Sequence, residues 1–255
     1  MILAIDIGNT NITLGGYEND KLKFTARLAT EASKTEDQYA IEIKDLLRLY
    51  GTDTDIIEGT AISSVVPSVC SAMKQAIRRL CGVSPIVIGP GVKTGLNIRI
   101  DNPAQLGADL VAGAVGASAK YPAPCIIFDL GTATTISVID GDGAMVGGAI
   151  AAGLVTTMNA LATKTAQLPS VDLEAPEKVI GTNTSECIKS GIIIGAAAML
   201  DGMAARIEHE LGQKATLVAT GGLASRVTEH CIREIVIDED LLLDGLMIIY
   251  KKNAK

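Results

Sequence analysis

Hydrophobic positions along the chain alternate between two arrangements. Strand-like runs cover residues 2–7 (ILAIDI), 11–17 (NITLGGY) and 22–29 (LKFTARLA), and they predict a three-strand meander with YENDK as its second turn. Residues 35–51 read as a helix. Thr35 can cap it, Ile41, Ile43, Leu46, Leu47 and Tyr50 supply the apolar face, and Gly51 stops it. A strand over 59–66, a helix over 67–82 that opens on Pro67 and ends on Gly82, and a strand over 84–89 follow. Residues 103–121 predict a helix rich in small side chains.

The pattern then restarts. CIIFDL, TTISVID and AMVGGAI predict three more strands joined by short turns, of which DGDG at 140–143 is the clearest. Helices are expected at about 153–163 and over 184–211, a strand over 215–222, a short strand near Ile235 and a last helix over 238–250. DIGNTNITLG (6–15) and DLGTATTISV (129–138) share D-x-G followed by small hydroxyl or amide residues, at an offset of 123 residues. Each ends a buried strand and opens a hairpin. Two similar halves are the economical reading, with a boundary near 120–124. The competing reading is two coincidental turns, since Asp and Gly are ordinary turn residues.

Composition narrows the class. The 255 residues suffice for one large domain or two ordinary ones, and 48% are hydrophobic. Aromatics are only 3% and Trp is absent, so Ile, Leu, Val and Ala must build the core. The net charge of -7, without a basic block, weighs against binding to nucleic acid or an anionic membrane. Five cysteines at wide spacings, with no C-x-x-C, argue against a disulfide framework or a zinc site and fit reduced thiols in the cytoplasm. Asp6 interrupts the N-terminal apolar run, so no signal peptide is expected there, and GIIIGAAAML (191–200) is shorter than the ~20 residues of a membrane span. His209 and His230 lie in polar surroundings and read as surface residues.

The two D-x-G turns carry the chemistry. Glycine lets a ligand approach the main chain, and the N–H groups beyond it, with the hydroxyls of Thr10, Thr13, Thr132 and Thr134, can donate to phosphate oxygens. A carboxylate suits such a site once a hydrated Mg²⁺ bridges Asp6 to the phosphates. Two such loops would clamp a nucleotide between two halves. ATGGLASRV (219–227) resembles the Gly-Gly turn under adenosine in the actin, hexokinase and Hsp70 superfamily. No Walker A sequence occurs, and no G-x-G-x-x-G follows a strand. Asp109, within the helix of small residues, is either an exposed or capping carboxylate or a general base.

Several ordered segments together resemble the type III pantothenate kinases: DIGNTN (6–11), DNPAQLGADL (101–110), DLGTATT (129–135), GGAIAAGL (147–154), TAQLP (165–169), GTNTSECIKSG (181–191) and TGGLA (220–224). The resemblance implies an α/β fold of two ribonuclease-H-like (actin-like) halves, each a mixed sheet with an N-terminal strand meander and flanking helices. Residues 1–120 would hold the phosphate loop and the catalytic helix. Residues 121–255 would hold the second D-x-G loop, the adenosine-side turn and a dimer helix. It also implies ATP-dependent phosphorylation of pantothenate to 4'-phosphopantothenate, the first step of coenzyme A biosynthesis, in the cytoplasm.

Residue by residue, Asp6, Ile7, Gly8, Asn9, Thr10, Asn11, Ile12 and Thr13 would match the ATP phosphate loop, and Thr132 a second ATP contact. Asp109 would match the catalytic base. Ile100, Gly107, Ala108, Asp109 and Leu110 would match the pantothenate site, with Thr184 supplied by the partner in a homodimer. Asp129 would match the ligand of a monovalent cation, K⁺ or NH₄⁺, alongside Mg²⁺ carried with ATP and reached from Asp6 through water. The sequence departs from the family where many members carry Tyr before D-N-P (here Ile100), Arg after G-A-D (here Leu110) and Pro in the G-G-x-I segment (here Ala152). Lys93, Arg99 or a partner residue could replace the lost charge. Ile100 and Leu110 motivate one alternative, a kinase of this fold for another small hydroxylated acceptor; a second, from a different class, is a nucleotide-binding regulator without turnover, like the accessory factors of transcription to which the resembled family has been linked. Joint presence of Asp6, Asp109 and Asp129 favours the enzyme.

Overall fold

The computed structural model describes residues 1–254. In the first sheet, β1 (Ile2–Ile7), β2 (Asn11–Glu18) and β3 (Lys21–Ala29) form an antiparallel meander. Helix α1 (Glu36–Leu49) follows, then β4 (Gly59–Ser64), α2 (Pro67–Cys81) and β5 (Ile86–Val87). Strand β4 lies parallel to β1 and β5 parallel to β4, giving the order β3-β2-β1-β4-β5. After β6 (Asn97–Ile98) and α3 (Ala108–Lys120) the same plan recurs. β7 (Cys125–Leu130), β8 (Ala133–Ile139) and β9 (Ala144–Ala152) are the meander. Helices α4 (Leu154–Lys164), α5 (Thr184–Lys189) and α6 (Gly195–Leu211), β10 (Thr216–Thr220), α7 (Ala224–Thr228), β11 (Val236–Ile237) and α8 (Leu241–Asn253) complete the chain. β10 runs parallel to β7 and β11 parallel to β10, so β9-β8-β7-β10-β11 repeats the first sheet, with β6 added parallel to β9 at the edge. The fold is therefore α/β, with two ribonuclease-H-like halves.

The central strands explain themselves. Leu3, Ala4, Ile5 and Ile7 of β1, and Ile126, Phe128 and Leu130 of β7, are fully buried, as strands covered on both faces must be. Each fully buried aliphatic side chain contributes roughly 1.5–3 kcal/mol, and each sheet supports its own apolar cluster. Thr35 and Gln38 form a reciprocal cap on α1. Gly82 ends α2 with φ 70, a conformation that favours glycine.

The chain divides into two units: residues 1–96, 101–119 and 241–254, and residues 97–100 and 120–240. Helix α8, which the sequence groups with the second half, packs on β1 and β4 of the first sheet. Its Gly245 meets the carbonyl of Ala112 in α3, and Gly116 of α3 meets the carbonyl of Leu241, with no space for a Cβ at either glycine. That backbone-to-backbone crossing explains the small, buried Ala112, Gly113 and Gly116 of α3. Tyr17 Oη donates to Asp244 Oδ1 at 2.7 Å and holds α8 against the meander.

Several expected elements differ. The helix expected over 103–121 is broken: a 3₁₀ turn spans Pro103–Gln105, and α3 begins only at Ala108. The strand expected over 84–89 shrinks to two residues, and the last helix starts three residues late. The helix over 184–211 is continuous but passes through a π-turn at Ser190–Ile194. Among the described residues it is the one stretch long and apolar enough to cross a membrane. Asp201 and Glu208 on it accept bonds from Ile232, Arg233, Lys214 and Ala215.

Candidate active site

In the first unit the phosphate-loop candidates occupy one turn at the ends of β1 and β2. Ile7 pairs with Ile12 and Asp6 with Thr13, so residues 8–11 form the turn. Gly8 N–H donates to the Asn11 carbonyl (3.0 Å), and its own carbonyl accepts Thr30 Oγ1 (2.8 Å). Thr30 N–H in turn donates to the Thr10 carbonyl (3.0 Å). The end of β3 thus clamps the turn from one side, while Val65 N–H ties the Ile7 carbonyl to the chain leaving β4 (3.1 Å). Asn9, Thr10 and Asn11 are exposed, Asp6, Gly8 and Thr13 half-buried, and Ile7 and Ile12 buried as core anchors. The pattern reads as polar groups presented on a rigid strand end.

The second unit repeats this with one residue fewer. Leu130 pairs with Thr134 and Asp129 with Thr135, leaving only Gly131–Ala133 in the turn. The expected offset of 123 therefore holds through the glycine and drops to 122 beyond it. Gly131 N–H donates to the Ala133 carbonyl (3.1 Å). Thr132 is exposed, Asp129 half-buried and Thr134 buried, its Oγ1 having no partner among the described residues. Thr134 is thus not a surface donor as expected; the shorter turn draws it into the strand.

Two further segments converge on the second turn. Strand β10 lies beside β7 with Thr220 opposite Asp129, and Gly221 follows at φ 93. A Cβ there would lie 2.6 Å from Asp129 Oδ1 and 2.8 Å from both the backbone nitrogen and the carbonyl oxygen of Leu130, so only glycine fits against this strand end. The N-terminus of α4 closes the other side. Gly153 N–H (3.2 Å) and Thr156 Oγ1 (2.7 Å) both donate to the Thr132 carbonyl. Thr30, Thr156 and the steric role of Gly153 carried no sequence signal beyond being small residues near turns.

Asp109 sits in the first turn of α3, not in its interior. The break at 106–107 puts it there, half-buried, with its Oδ1 accepting Leu110 N–H at 2.9 Å. The positive end of a helix suits a carboxylate. A side chain at Gly107 would run into this carboxylate. Gly107, Ala108, Asp109 and Leu110 are therefore contiguous and half-buried in the first unit. Ile100 belongs to the second unit, just after β6. Arg99 does not hold a spare charge: Nη1 lies 3.3 Å from both Asp140 Oδ2 and Asp142 Oδ2 in the DGDG turn. Thr184 is exposed at the start of α5, capped by Asn183 through Glu186 N–H (3.0 Å).

The titratable groups perturbed most are scaffold groups. The Arg233 guanidinium, Lys214 and Ala215 N–H hold the buried Glu208 carboxylate down to about 2. Burial, with a bond to Asp238, pushes Tyr121 up to about 12. Burial alone pushes the Cys125 thiol up to about 12. Among the described residues no three His, Cys, Asp or Glu side chains group as a metal cage. A divalent ion held chiefly by phosphate oxygens and water needs only one or two carboxylates, such as the half-buried Asp6.

A family model described as type III pantothenate kinase matches residues 2–206. The type III pantothenate kinase of Exiguobacterium sp. (strain ATCC BAA-1283 / AT1b) is 44% identical over 255 residues, covering all of both chains. That of Exiguobacterium sibiricum is 43% identical, covering 99% of this chain and 100% of its own. The solved activator of 2-hydroxyisocaproyl-CoA dehydratase from Clostridium difficile, with bound ADPNP, matches at a TM-score of 0.54 and 14% identity, covering 100% of this chain and 98% of its own. That last likeness bears on the fold alone.

Proposed function

The chain belongs to the type III pantothenate kinase family, and from that premise we propose how its residues divide the work. The reaction is transfer of the γ-phosphoryl group of ATP to pantothenate, giving 4'-phosphopantothenate, which enters coenzyme A biosynthesis. Such transfer needs alignment and charge neutralisation more than covalent help. The turn at residues 6–13 would hold the triphosphate through its N–H groups and the Thr10 and Thr13 hydroxyls, and Thr132 would hold it from the second turn. The observation that carries this reading is the repeat: equivalent strands of one topology carry Asp6 and Asp129 as their penultimate residues, and a glycine turn follows each strand.

Asp109 would take the proton from the primary hydroxyl of pantothenate as that oxygen attacks phosphorus. Gly107, by lacking a side chain, leaves the carboxylate its place. Ile100, Ala108, Leu110 and Thr184 of the partner subunit would surround the acceptor. Asp6 would reach Mg²⁺ through water, and Asp129 would hold K⁺ or NH₄⁺. Bound there, these ions would neutralise charge on the triphosphate. Gly191, Gly195 and Ala198 are exposed along one face of the long helix, while Ile194, Met199 and Met203 pack half-buried against the second unit's own core. That face supports a homodimer built on this helix.

The test is cation dependence of turnover at matched ionic strength. K⁺ and NH₄⁺ should support turnover that Na⁺ does not, and Asp129→Asn should abolish the difference. Equal rates in all three salts would refute the assignment of Asp129.

A further inference from the structure

We propose that Thr156 is a positioning residue for ATP: from the first turn of α4 it fixes the backbone of the second D-x-G turn at Thr132. The proposal rests on the reading of Thr132 as a nucleotide contact and goes one step past it.

The Thr132 carbonyl accepts two bonds from one direction, Thr156 Oγ1 at 2.7 Å and Gly153 N–H at 3.2 Å. In a trans peptide the carbonyl of one residue and the N–H of the next share a plane and point opposite ways. Holding the Thr132 carbonyl on α4 therefore fixes the plane joining Thr132 to Ala133. It also fixes the Cα that carries the exposed Thr132 side chain. The turn has only three residues, so little of it is left to adjust.

Gly153 makes this docking possible by size. Its φ of -69 is open to any residue, so conformation does not require glycine. A Cβ there would lie 2.8 Å from the Thr132 carbonyl carbon and would run into the carbonyl oxygens of Gly131 and Thr132. Helix α4 has no side-chain cap at Gly153. The Thr156 hydroxyl is spent instead on the neighbouring turn. The hydroxyl serves the turn rather than its own helix, which separates it from Thr163 and Thr165, whose hydroxyls bond back to carbonyls four residues earlier.

Removing the hydroxyl takes one donor from the carbonyl and gives the turn freedom that ATP must then remove on binding. In Thr156→Val the Michaelis constant for ATP should rise about three- to tenfold, the range of one lost hydrogen bond. The Michaelis constant for pantothenate should stay unchanged, and ADP binding by calorimetry should weaken in parallel with ATP. Thr156→Ser, which keeps the hydroxyl, should restore both. Gly153→Ala should weaken nucleotide binding further. Thr132→Ala separates the two readings. If it weakens ADP binding while Thr156→Val does not, the positioning role is overturned and the nucleotide contact stands. If Thr132→Ala leaves ADP affinity unchanged, the contact itself is wrong and the proposal falls with it. A lower melting temperature for Thr156→Val at unchanged ADP affinity would mark the bond as structural only and would also overturn the proposal.

Discussion

Replacing Asp109 by Asn removes a proton acceptor and almost nothing else. The two side chains have the same shape, and the amide oxygen can still accept Leu110 N–H, which the carboxylate accepts at 2.9 Å. The close approach of Gly107 stays satisfied because no atom is added. The cost to the fold is the loss of one charge at the start of α3, roughly 0.3–1 kcal/mol. For a chain of this size that lowers the melting temperature by about 1–4 °C. The cost to catalysis is much larger. A positioned base is worth ~10²–10⁴-fold in rate, or about 3–5.5 kcal/mol at ~1.4 kcal/mol per factor of ten. The two effects differ several-fold in free energy, so they separate cleanly. The assay pairs ADP release at saturating ATP and pantothenate with calorimetric titration of ADP. Turnover should fall by ~10²-fold or more while ADP affinity holds. A variant that turns over within about threefold of the unmodified protein, far above the loss of a general base, would refute the assignment. So would an equal loss of ADP affinity, because Asp109 would then act on the nucleotide.

Three further outcomes follow. The paired variant Ile100→Tyr with Leu110→Arg restores a phenol and a guanidinium to the acceptor side; it should lower the Michaelis constant for pantothenate by ~10-fold or more, as charged hydrogen bonds contribute ~1.5–3 kcal/mol, and leave the value for ATP unchanged. No improvement would show that the pocket recognises pantothenate by other groups. Light scattering should give a dimer, and a charge placed on the uncovered helix face, Ala198→Glu, should dissociate it and raise the Michaelis constant for pantothenate; a monomer with full activity would remove Thr184 from the partner's site. Glu208 is held at about 2 in the folded chain, below the ordinary 4.5, so its stabilisation is present above pH 4.5 and is lost as pH falls toward 2. Thermal melts of Glu208→Gln and the unmodified protein should therefore converge across that window, and a constant gap would contradict the Arg233 pairing as its source.

The duplication was legible because it rests on short-range rules. A buried strand, a D-x-G turn and a resumed strand need only the local pattern, and both copies appear where the pattern puts them. The one-residue difference between the turns was hidden, because Asn11 and Thr134 are both polar and either register reads well until pairing fixes it. Asp109 was found as a residue but misplaced on its helix. Pro103 can open a helix, and nothing local marks Leu106 and Gly107 as a break. The attachment of α8 to the first sheet was illegible for another reason. Its fit depends on Gly245 and Gly116 meeting across about half the length of the chain, and long-range packing leaves no periodic trace. Thr30 and Thr156 were missed because a hydroxyl that holds a neighbouring turn looks in sequence like any surface threonine.

The type III pantothenate kinase reaction places the γ-phosphoryl group of ATP on pantothenate. The most direct test incubates the protein with Mg²⁺, K⁺, ATP and pantothenate, beside a panel of other small hydroxylated acids, and identifies the product by phosphorus NMR and mass spectrometry. ADP release should depend on pantothenate, with one new phosphate monoester on its primary hydroxyl and the largest kcat/KM in the panel. ADP release indifferent to pantothenate, or a higher kcat/KM with another acceptor, would contradict that expectation.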